Sequence, residues 1–485
     1  MGSGGRPSAS DSPGGPGHQK RDEERARRRF KRIGEASAAA ARAVATARAA
    51  AAARAQAIAQ RARQTPPPPG PFRPEFWRSP IRGPWLTSVF GLVLLVGMPV
   101  LFVTGALSYA AYNPGLGPLN DQTPDKGLLG FYLFDWPTHP YWLYRLTQGV
   151  HVTLGVVLVP VLLAKLWTVI PKLFEWLPVR SVAHGLERLS LLMLVGGVIF
   201  EFVTGILNIQ LYYVFPGSFY TLHFYGAWVF IAAFVVHVCL KLGRMTRALR
   251  ARDLATELRT DLAHTLPEPP DPDGLVPTAP AAPTMTRRGA LALVGAGSLA
   301  LLVVTAGQSI GGRLRGIALL APHNRDPGSG PNGFQINKTA AAVGVSPAHV
   351  GPSWRLEVHG RAPALVFTRG QLLAMRQHAA ALPIACVEGW STPDQLWSGL
   401  RLTDLAAMAG LPDAGSVLVE SVQPPGPYSS VVLRGNQIHD PRSLLALRVN
   451  GADLSLDHGF PARIIVPANP GVNNTKWVHR LTFRT

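Results

Sequence analysis

Cysteine is nearly absent from this chain, with two in 485 residues. One, Cys239, lies in an apolar stretch, and the other, Cys386, stands alone in the water-soluble third, so an internal disulfide there is excluded. Charge is scarce as well, at 15% of residues against 47% hydrophobic ones, a balance too apolar for an ordinary soluble protein of this size. Acid is the scarcer sign: 28 Asp and Glu face 47 Lys and Arg, a formal net charge of +19. Much of the excess sits before residue 70, in Arg25-Ala-Arg27-Arg28-Arg29-Phe-Lys31-Arg32 and an alanine/arginine run ending near Arg63. Aromatic residues do not interleave with it, which argues against nucleic acid and for a solvated, disordered or partly helical tail beside anionic lipid. The first sixty residues are too polar for a cleavable signal.

What is present in abundance is apolar length. Runs near 84–111, 142–171, 187–212 and 218–243, and a shorter one at 289–307, each read as spanning helices. Lys165, Lys172, Arg180 and Arg188 lie between the second and third runs, and Lys241, Arg244, Arg247, Arg250, Arg252 and Arg259 follow the fourth. The loop after the first run instead carries Asp121, Asp125 and Asp135 against Lys126. By the positive-inside rule the N-terminus is cytoplasmic, the residues after 310 face outside, and the membrane is the cell (plasma) membrane. Pro267–Pro283 reads as a linker. Thr286-Arg287-Arg288-Gly289 opens the fifth run with a twin-arginine pattern, either a positive-inside anchor or an export signal suited to a domain folded around a bulky cofactor. The expected organisation is a basic tail over 1–78, a four-helix membrane part over 79–250, a linker over 251–286, a fifth helix over 287–310 and an external domain over 313–485.

The membrane part repeats itself. Phe102-Val-Thr-Gly105 recurs as Phe202-Val-Thr-Gly205, and the second and fourth helices resemble each other around His151 and His223. His223 and His237 stand fourteen residues apart on one helix, which is roughly 21 Å along nearly the same face, so that helix is able to serve two stacked haems. His151 is placed to face His223, and a bis-histidine haem b needs two such imidazoles in a dry bundle core. The alternative is a set of hydrogen-bonded core histidines. The three histidines and the hairpin order resemble the cytochrome b anchor subunits of bacterial formate dehydrogenases and nickel–iron hydrogenases over residues 80–250. That resemblance implies one or two haems and electron exchange with quinone or quinol. It departs where the family has a histidine near the start of the first helix. Here the stretch reads Arg82-Gly-Pro84-Trp85, leaving His184 as the substitute partner for His237. Glu201, whose repeat counterpart is Leu101, marks an outer interface position or a proton relay for quinone.

From about 313 onward short alternating segments take over: Trp354–His359, Ser416–Glu420 and Val431–Arg434, with helical pieces at Arg369–His378 and Leu402–Ala409. This is the pattern of a β-rich α+β domain with its own core. The segment Pro383-Ile-Ala-Cys386-Val-Glu-Gly-Trp390-Ser, with Trp397-Ser-Gly-Leu after it, resembles the cysteine segment of sulfite-oxidase-like molybdopterin domains, especially periplasmic methionine sulfoxide reductases. Phe334-Gln-Ile-Asn337, Asn450-Gly-Ala-Asp453, and His458-Gly-Phe-Pro-Ala-Arg463-Ile-Ile-Val-Pro467 with Lys476-Trp477 extend the likeness across the domain. The resemblance implies that Cys386 ligates molybdenum beside a pterin dithiolene, that Arg463 and Lys476 hold the pterin phosphate, and that Asn337 and His458 hydrogen-bond the pterin. Where sulfite-oxidising members carry an asparagine and basic residues after the cysteine, this chain has Val387-Glu388-Gly389-Trp390, which points to a less anionic small-molecule substrate. The whole then reads as a membrane-bound molybdenum oxidoreductase coupled to haem b and quinone, acting on a sulfoxide or N-oxide. The competing reading is a haem carrier or sensor with a cofactor-free external binding domain, and a transporter is disfavoured.

Overall fold

The computed structural model describes residues 16–64, 66–112, 134–176, 182–209, 219–271, 274–321, 328–425 and 428–485. Arg180, Asp121, Asp125 and Lys126, used above for topology, lie outside them. Two units are distinct, one formed by Met1–Pro69 with Trp176–Val182 and one by the rest of the chain. In the first, helix α1 (Pro16–Gln64) runs for 49 residues. The sequence reading left room for disorder here; instead the alanine and arginine content, both strong helix formers, gives a continuous helix.

The second unit begins with helices α2 (Pro84–Tyr112), α3 (Leu143–Val157), α4 (Val159–Leu173), α5 (Val182–Asn208), α6 (Phe219–Ala251), the short α7 (Leu254–Arg259) and α8 (Arg287–Ile310). Among the described residues four helices are long and apolar enough to cross a membrane, over Pro84–Ala111, Arg188–Asn208, Leu222–Ala251 and Arg287–Ile310. The second run, expected as one helix, is two, bent by 42° between α3 and α4. Pro160, near the start of α4, lacks the N–H that a continuing helix would need and clashes with the preceding turn, which breaks the span here. Trp85, Leu86, Phe90, Leu94, Met98, Leu158, Leu162 and Phe230 form the buried centre of this helical part.

Residues 251–286 are not a free spacer. Glu268 accepts from the Trp85 main-chain N–H at 3.1 Å, placing a carboxylate on the first turn of α2, where unsatisfied N–H groups and the helix dipole favour it. The Trp85 indole donates to Arg252 O at 3.2 Å, and Ala281 N donates to Arg78 O at 2.9 Å. The two arginines of the 287–288 pair differ sharply. Arg287 is 2% exposed and donates to Glu257 at 3.3 Å and to Leu266 O at 2.9 Å. Arg288 reaches out to Leu258 O at 3.1 Å on an exposed face.

The C-terminal part is built from two sheets. One runs β2 (Leu365–Phe367), β1 (Leu356–His359), β10 (Val478–Arg484), β5 (Ser416–Ser421), β6 (Ser430–Arg434), with β1 and β10 parallel and the other pairs antiparallel. The second runs β3 (His378–Leu382), β4 (Gln395–Arg401), β7 (Leu444–Val449), β8 (Ala452–Asp453), all antiparallel, with β9 (Arg463–Ile465) also on β7. Short helices α9 (Arg369–Ala374), α10 (Leu402–Met408) and α11 (Gly435–His439) fill the connections. The period-two pattern read for Ser416–Glu420 and Val431–Arg434 is met by alternating burial along β5 and β6. Their inward residues Val417, Val419, Val431 and Leu433 join Leu356, Val358, Leu481, Leu445 and Leu447 in one core between the sheets. Each such side chain contributes about 1.5–3 kcal/mol by leaving water.

The buried Arg287–Glu257 pair yields a test. Truncating Arg287 leaves the buried Glu257 carboxylate to Arg252 alone and strands the Leu266 carbonyl, at a cost of about 1–3 kcal/mol, so Arg287→Ala lowers the melting temperature of the detergent-solubilised protein by a few degrees. Arg288→Ala leaves it nearly unchanged, because an exposed main-chain contact of this kind is replaced by water.

Candidate functional site

Cys386 sits in a tight turn between β3 and β4. Its N–H donates to Trp390 O at 2.8 Å, and Gly389 N donates back to Cys386 O at 3.1 Å. The neighbouring Ala385 bridges Ser391 on one side and Pro470 on the other, and Gly471 N donates to Ala385 O at 2.6 Å. The thiol is buried, 3% exposed. Sγ lies 3.3 Å from Glu388 Oε2, which also accepts from the Trp390 indole at 2.7 Å. Burial, and then the Glu388 carboxylate, raise the thiol well above its ordinary value, so it stands as S–H donating to that carboxylate. A metal cation at Sγ is what would displace the proton, since a coordinating thiol ionises outright.

Gly471 begins the wall of a half-open surface cleft lined by Asn337, Lys338, Tyr428, Asn474, Thr475 and Lys476, among others. Asn337, expected beside the pterin, lines it, and its Oδ1 accepts from the N–H of Lys338 at 2.8 Å. Lys476 lines it too, donating to Lys338 O and Asp457 O, each at 2.8 Å. His458 and Arg463 lie behind the wall. His458 stacks on Phe334 at 3.8 Å between ring centroids and bonds Asn332 O through Nε2 at 2.9 Å. Arg463 is 1% exposed, donates to His458 O at 3.0 Å and Asn474 O at 3.1 Å, and lies 5.1 Å over the Trp397 ring.

This corner carries uncompensated positive charge. Burial pushes Arg463 down to about 9, and burial followed by the Arg463 charge pushes Lys476 well below the ordinary lysine range. Among the described residues neither has a carboxylate within ion-pair distance. The buried Arg463 Nε and Thr475 hydroxyl have no hydrogen-bond partner among them either. Two desolvated cations and unpaired polar atoms around one cleft fit an anionic, hydrogen-bonding group such as a pterin phosphate. Lys338 directly follows Asn337 in the string that carried the resemblance, whereas Thr475 and Tyr428 gave no signal in the sequence, because each is a common residue placed here only by tertiary folding.

The cysteine loop is seated on the helices. The Gln148 side chain of α3 donates to Val387 O, the Ser309 hydroxyl at the end of α8 donates to Gly389 O, and Ser391 returns a bond to Ser309 O at 2.7 Å. Asn473 donates to Ala111 O of α2 at 3.1 Å. Gly389 has φ +86°, and a Cβ there would meet the Val152 Cβ of α3 at 2.6 Å, so only glycine lets the loop approach this closely. Ala385 packs with Ala110, Ala111, Trp136 and Tyr144.

Next to Val152 is His151. Its ring centroid lies 6.1 Å from that of His223, with the rings nearly perpendicular at 85°. With imidazole–metal bonds of about 2 Å, two axial nitrogens on one metal stand about 4 Å apart and their ring centroids further, so the observed spacing suits one shared metal. The repeat noticed in the sequence holds both rings. Thr104 Oγ1 is 3.0 Å from His151 Nδ1, and Thr204 Oγ1 is 3.0 Å from His223 Nδ1. Both hydroxyls donate to main-chain carbonyls of their own helices, Val100 O and Phe200 O, each at 2.7 Å, so their oxygens accept from Nδ1–H. Nε2 is then the nitrogen left to bind a metal. Gly105 and Gly205 let each helix approach: a Cβ would lie 3.1 and 3.2 Å from the respective imidazoles.

His237 acquires no such partner among the described residues. By the repeat its counterpart is Lys165, fourteen residues after His151, whose Nζ donates to Thr87 O at 2.8 Å. His184, the expected substitute, falls in the first turn of α5, and its side chain lies outside the described residues. His151 and His223 are therefore brought together, while His237 faces no second histidine among the described residues.

His458 also sets a pH dependence. Burial, then the Arg463 charge, pushes it down to about 3, whereas the unfolded chain titrates near 6.5. Between those values the unfolded state binds the extra proton, so stability falls as pH falls, by at most about 1.4 kcal/mol per pH unit. Acid denaturation followed by circular dichroism is expected to be shallower across this range in His458→Gln than in the unsubstituted protein.

Comparison with known proteins bears on the C-terminal part. Residues 343–485 match the family model described as an oxidoreductase molybdopterin binding domain. The uncharacterized oxidoreductase YuiH of Bacillus subtilis (strain 168) is 30% identical over 132 residues, covering 27% of this chain and 65% of YuiH. The mitochondrial sulfite oxidase of Drosophila melanogaster is 30% identical over 153 residues, covering 26% of each chain. The chain thus spans just under two thirds of the first relative and about a quarter of the second. Among solved structures, the sulfane dehydrogenase SoxCD from Paracoccus pantotrophus is 24% identical, covering 27% of this chain and 38% of its own, with a TM-score of 0.25. These matches make residues 343–485 a sulfite-oxidase-like, molybdopterin-binding oxidoreductase domain.

Proposed function

We propose that this is a membrane-bound molybdenum-cofactor oxidoreductase that exchanges electrons with the quinone pool through haem b and reduces a small substrate of the sulfoxide or N-oxide type. The observation that carries the reading is the seating of the Cys386 loop on α3, the helix that presents His151. Cys386 Sγ, Asn337, His458, Arg463 and Lys476 are the residues that would hold the molybdopterin, which when bound supplies two-electron oxygen-atom chemistry. His151 and His223 would hold haem b, which supplies one-electron carriage.

The residues have separable tasks. Lys476, on the cleft wall, and Arg463, buried behind it, would offset the charge of a pterin phosphate, and Asn337 would offer the pterin its side-chain amide. Glu388 is placed to accept from the Cys386 thiol, and its Oε2 is oriented by the Trp390 indole N–H, which donates to it. The loop around Cys386 offers a substrate no cationic side chain, which suits a neutral oxide rather than an oxyanion. Reducing such an oxide consumes two electrons and two protons, releases water, and draws the electrons from a quinol oxidised to quinone at the helical part, between α3 and α6.

Orientation follows from charge. Lys172, Arg188, Arg244, Arg247, Arg250, Arg252, Arg259, Arg287 and Arg288 all lie toward the helix ends away from the cysteine loop. By the positive-inside rule those ends are cytoplasmic, and the molybdopterin domain is extracytoplasmic on the plasma membrane. The Arg287-Arg288 pair opens the helix leading out, the pattern suited to exporting a folded, cofactor-loaded domain.

Cys386→Ser tests the reading. Sulfoxide-reducing turnover is expected to fall by more than about 100-fold, beyond what losing an outer partner of a metal site costs, with the haem absorbance unchanged. Undiminished turnover together with retained molybdenum would overturn it.

A further inference from the structure

The two halves of the haem site differ at one position. Leu101-Phe102-Val103-Thr104-Gly105 and Glu201-Phe202-Val203-Thr204-Gly205 are identical except at the first residue. Each threonine takes one side of its histidine's Nδ1–H at 3.0 Å. On α2 the remaining neighbour of His151 Nδ1 is a neutral carbonyl, Leu101 O, at 3.0 Å. On α5 the matching main-chain carbonyl of Glu201 is joined by that residue's carboxylate, whose Oε2 lies 3.2 Å from His223 Nδ1.

That carboxylate is built into the helices and is no surface accident. Glu201 is 8% exposed in an apolar bundle, and its Oε1 has no hydrogen-bond partner among the described residues. Room for it comes from Gly226, one turn beyond His223 on α6, where a Cβ would stand 2.1 Å from Oε1. Intramembrane carboxylates are costly, and their presence points to a task. A carboxylate accepting from the outer nitrogen of a metal-bound imidazole fixes its tautomer and raises its basicity. A more basic axial ligand stabilises ferric over ferrous iron, and hydrogen bonding around the ligands is one lever on haem potential.

We propose that Glu201 is a positioning residue that acts through His223 to hold the haem's reduction potential low, making the two axial ligands unequal on an otherwise duplicated frame. A low potential favours onward delivery of electrons to the cysteine loop that rests beside His151. The inference rests on the haem reading above.

The test is spectroelectrochemical titration of the full-length, detergent-purified protein. Glu201→Leu installs the residue the repeat carries at its other half, and Glu201→Gln keeps the shape without the charge. Gly226→Ala leaves the glutamate in place but pushes it off its seat. All three are expected to raise the haem midpoint potential, Glu201→Leu the most, with a six-coordinate bis-histidine spectrum retained. Unchanged potentials with haem retained would overturn the proposal, as would loss of haem from all three, which would make Glu201 a structural residue. Absence of haem from the unsubstituted protein would overturn the haem reading and this inference together, so the two failures are told apart by the parent sample.

Discussion

Everything functional in this molecule depends on a loop of five residues resting on the ends of three helices. Cys386 to Trp390 is closed on itself by main-chain bonds, and its outward face is held by Gln148, Ser309 and the bare backbone of Gly389. A side chain at Gly389 would occupy the space of Val152. The contact therefore couples the placement of the thiol in one part of the chain to the placement of His151 in the other. Neither part could shift without breaking buried hydrogen bonds whose loss costs about 1–3 kcal/mol each.

A second constraint is electrostatic. The cleft next to the loop contains a lysine and an arginine driven out of water with only main-chain oxygens and aromatic faces for company. Burying cations this way is unfavourable unless an anion completes the site. The helical part faces the converse problem, a carboxylate and several imidazoles in an apolar bundle, and solves it locally by threonine hydroxyls and glycine clearances.

Much of this was legible in the sequence, for identifiable reasons. The cysteine segment and the His458–Lys476 stretch are contiguous strings whose residue types are rare in combination, so they could be read without coordinates. His151 and His223 were paired by hairpin order and depth, which helix geometry fixes. The Phe-Val-Thr-Gly repeat was visible, but its role was not: only the coordinates place each threonine on a histidine Nδ1. Thr475 and Tyr428 in the cleft stayed hidden because loop residues reach a site by tertiary folding that no short pattern encodes. The bend at Leu158 and the packing of 251–286 onto the helix ends were missed because apolar length says nothing of continuity, and proline-rich composition reads as a spacer even where Glu268 caps a helix. The long basic segment, read as disordered or partly helical, is helical over Pro16–Gln64, where alanine content outweighs charge repulsion.

The central claim is that one chain unites a molybdenum site at Cys386 with a haem between His151 and His223. Elemental analysis of the intact, detergent-purified protein, expressed in a host that makes the molybdenum cofactor, tests it most directly. The account predicts about one molybdenum and one iron per chain, the single iron following from the histidine pair brought together among the described residues. Iron without molybdenum would leave a haem protein with a binding domain, and molybdenum without iron would leave a soluble-type enzyme on a membrane anchor; either result would contradict it.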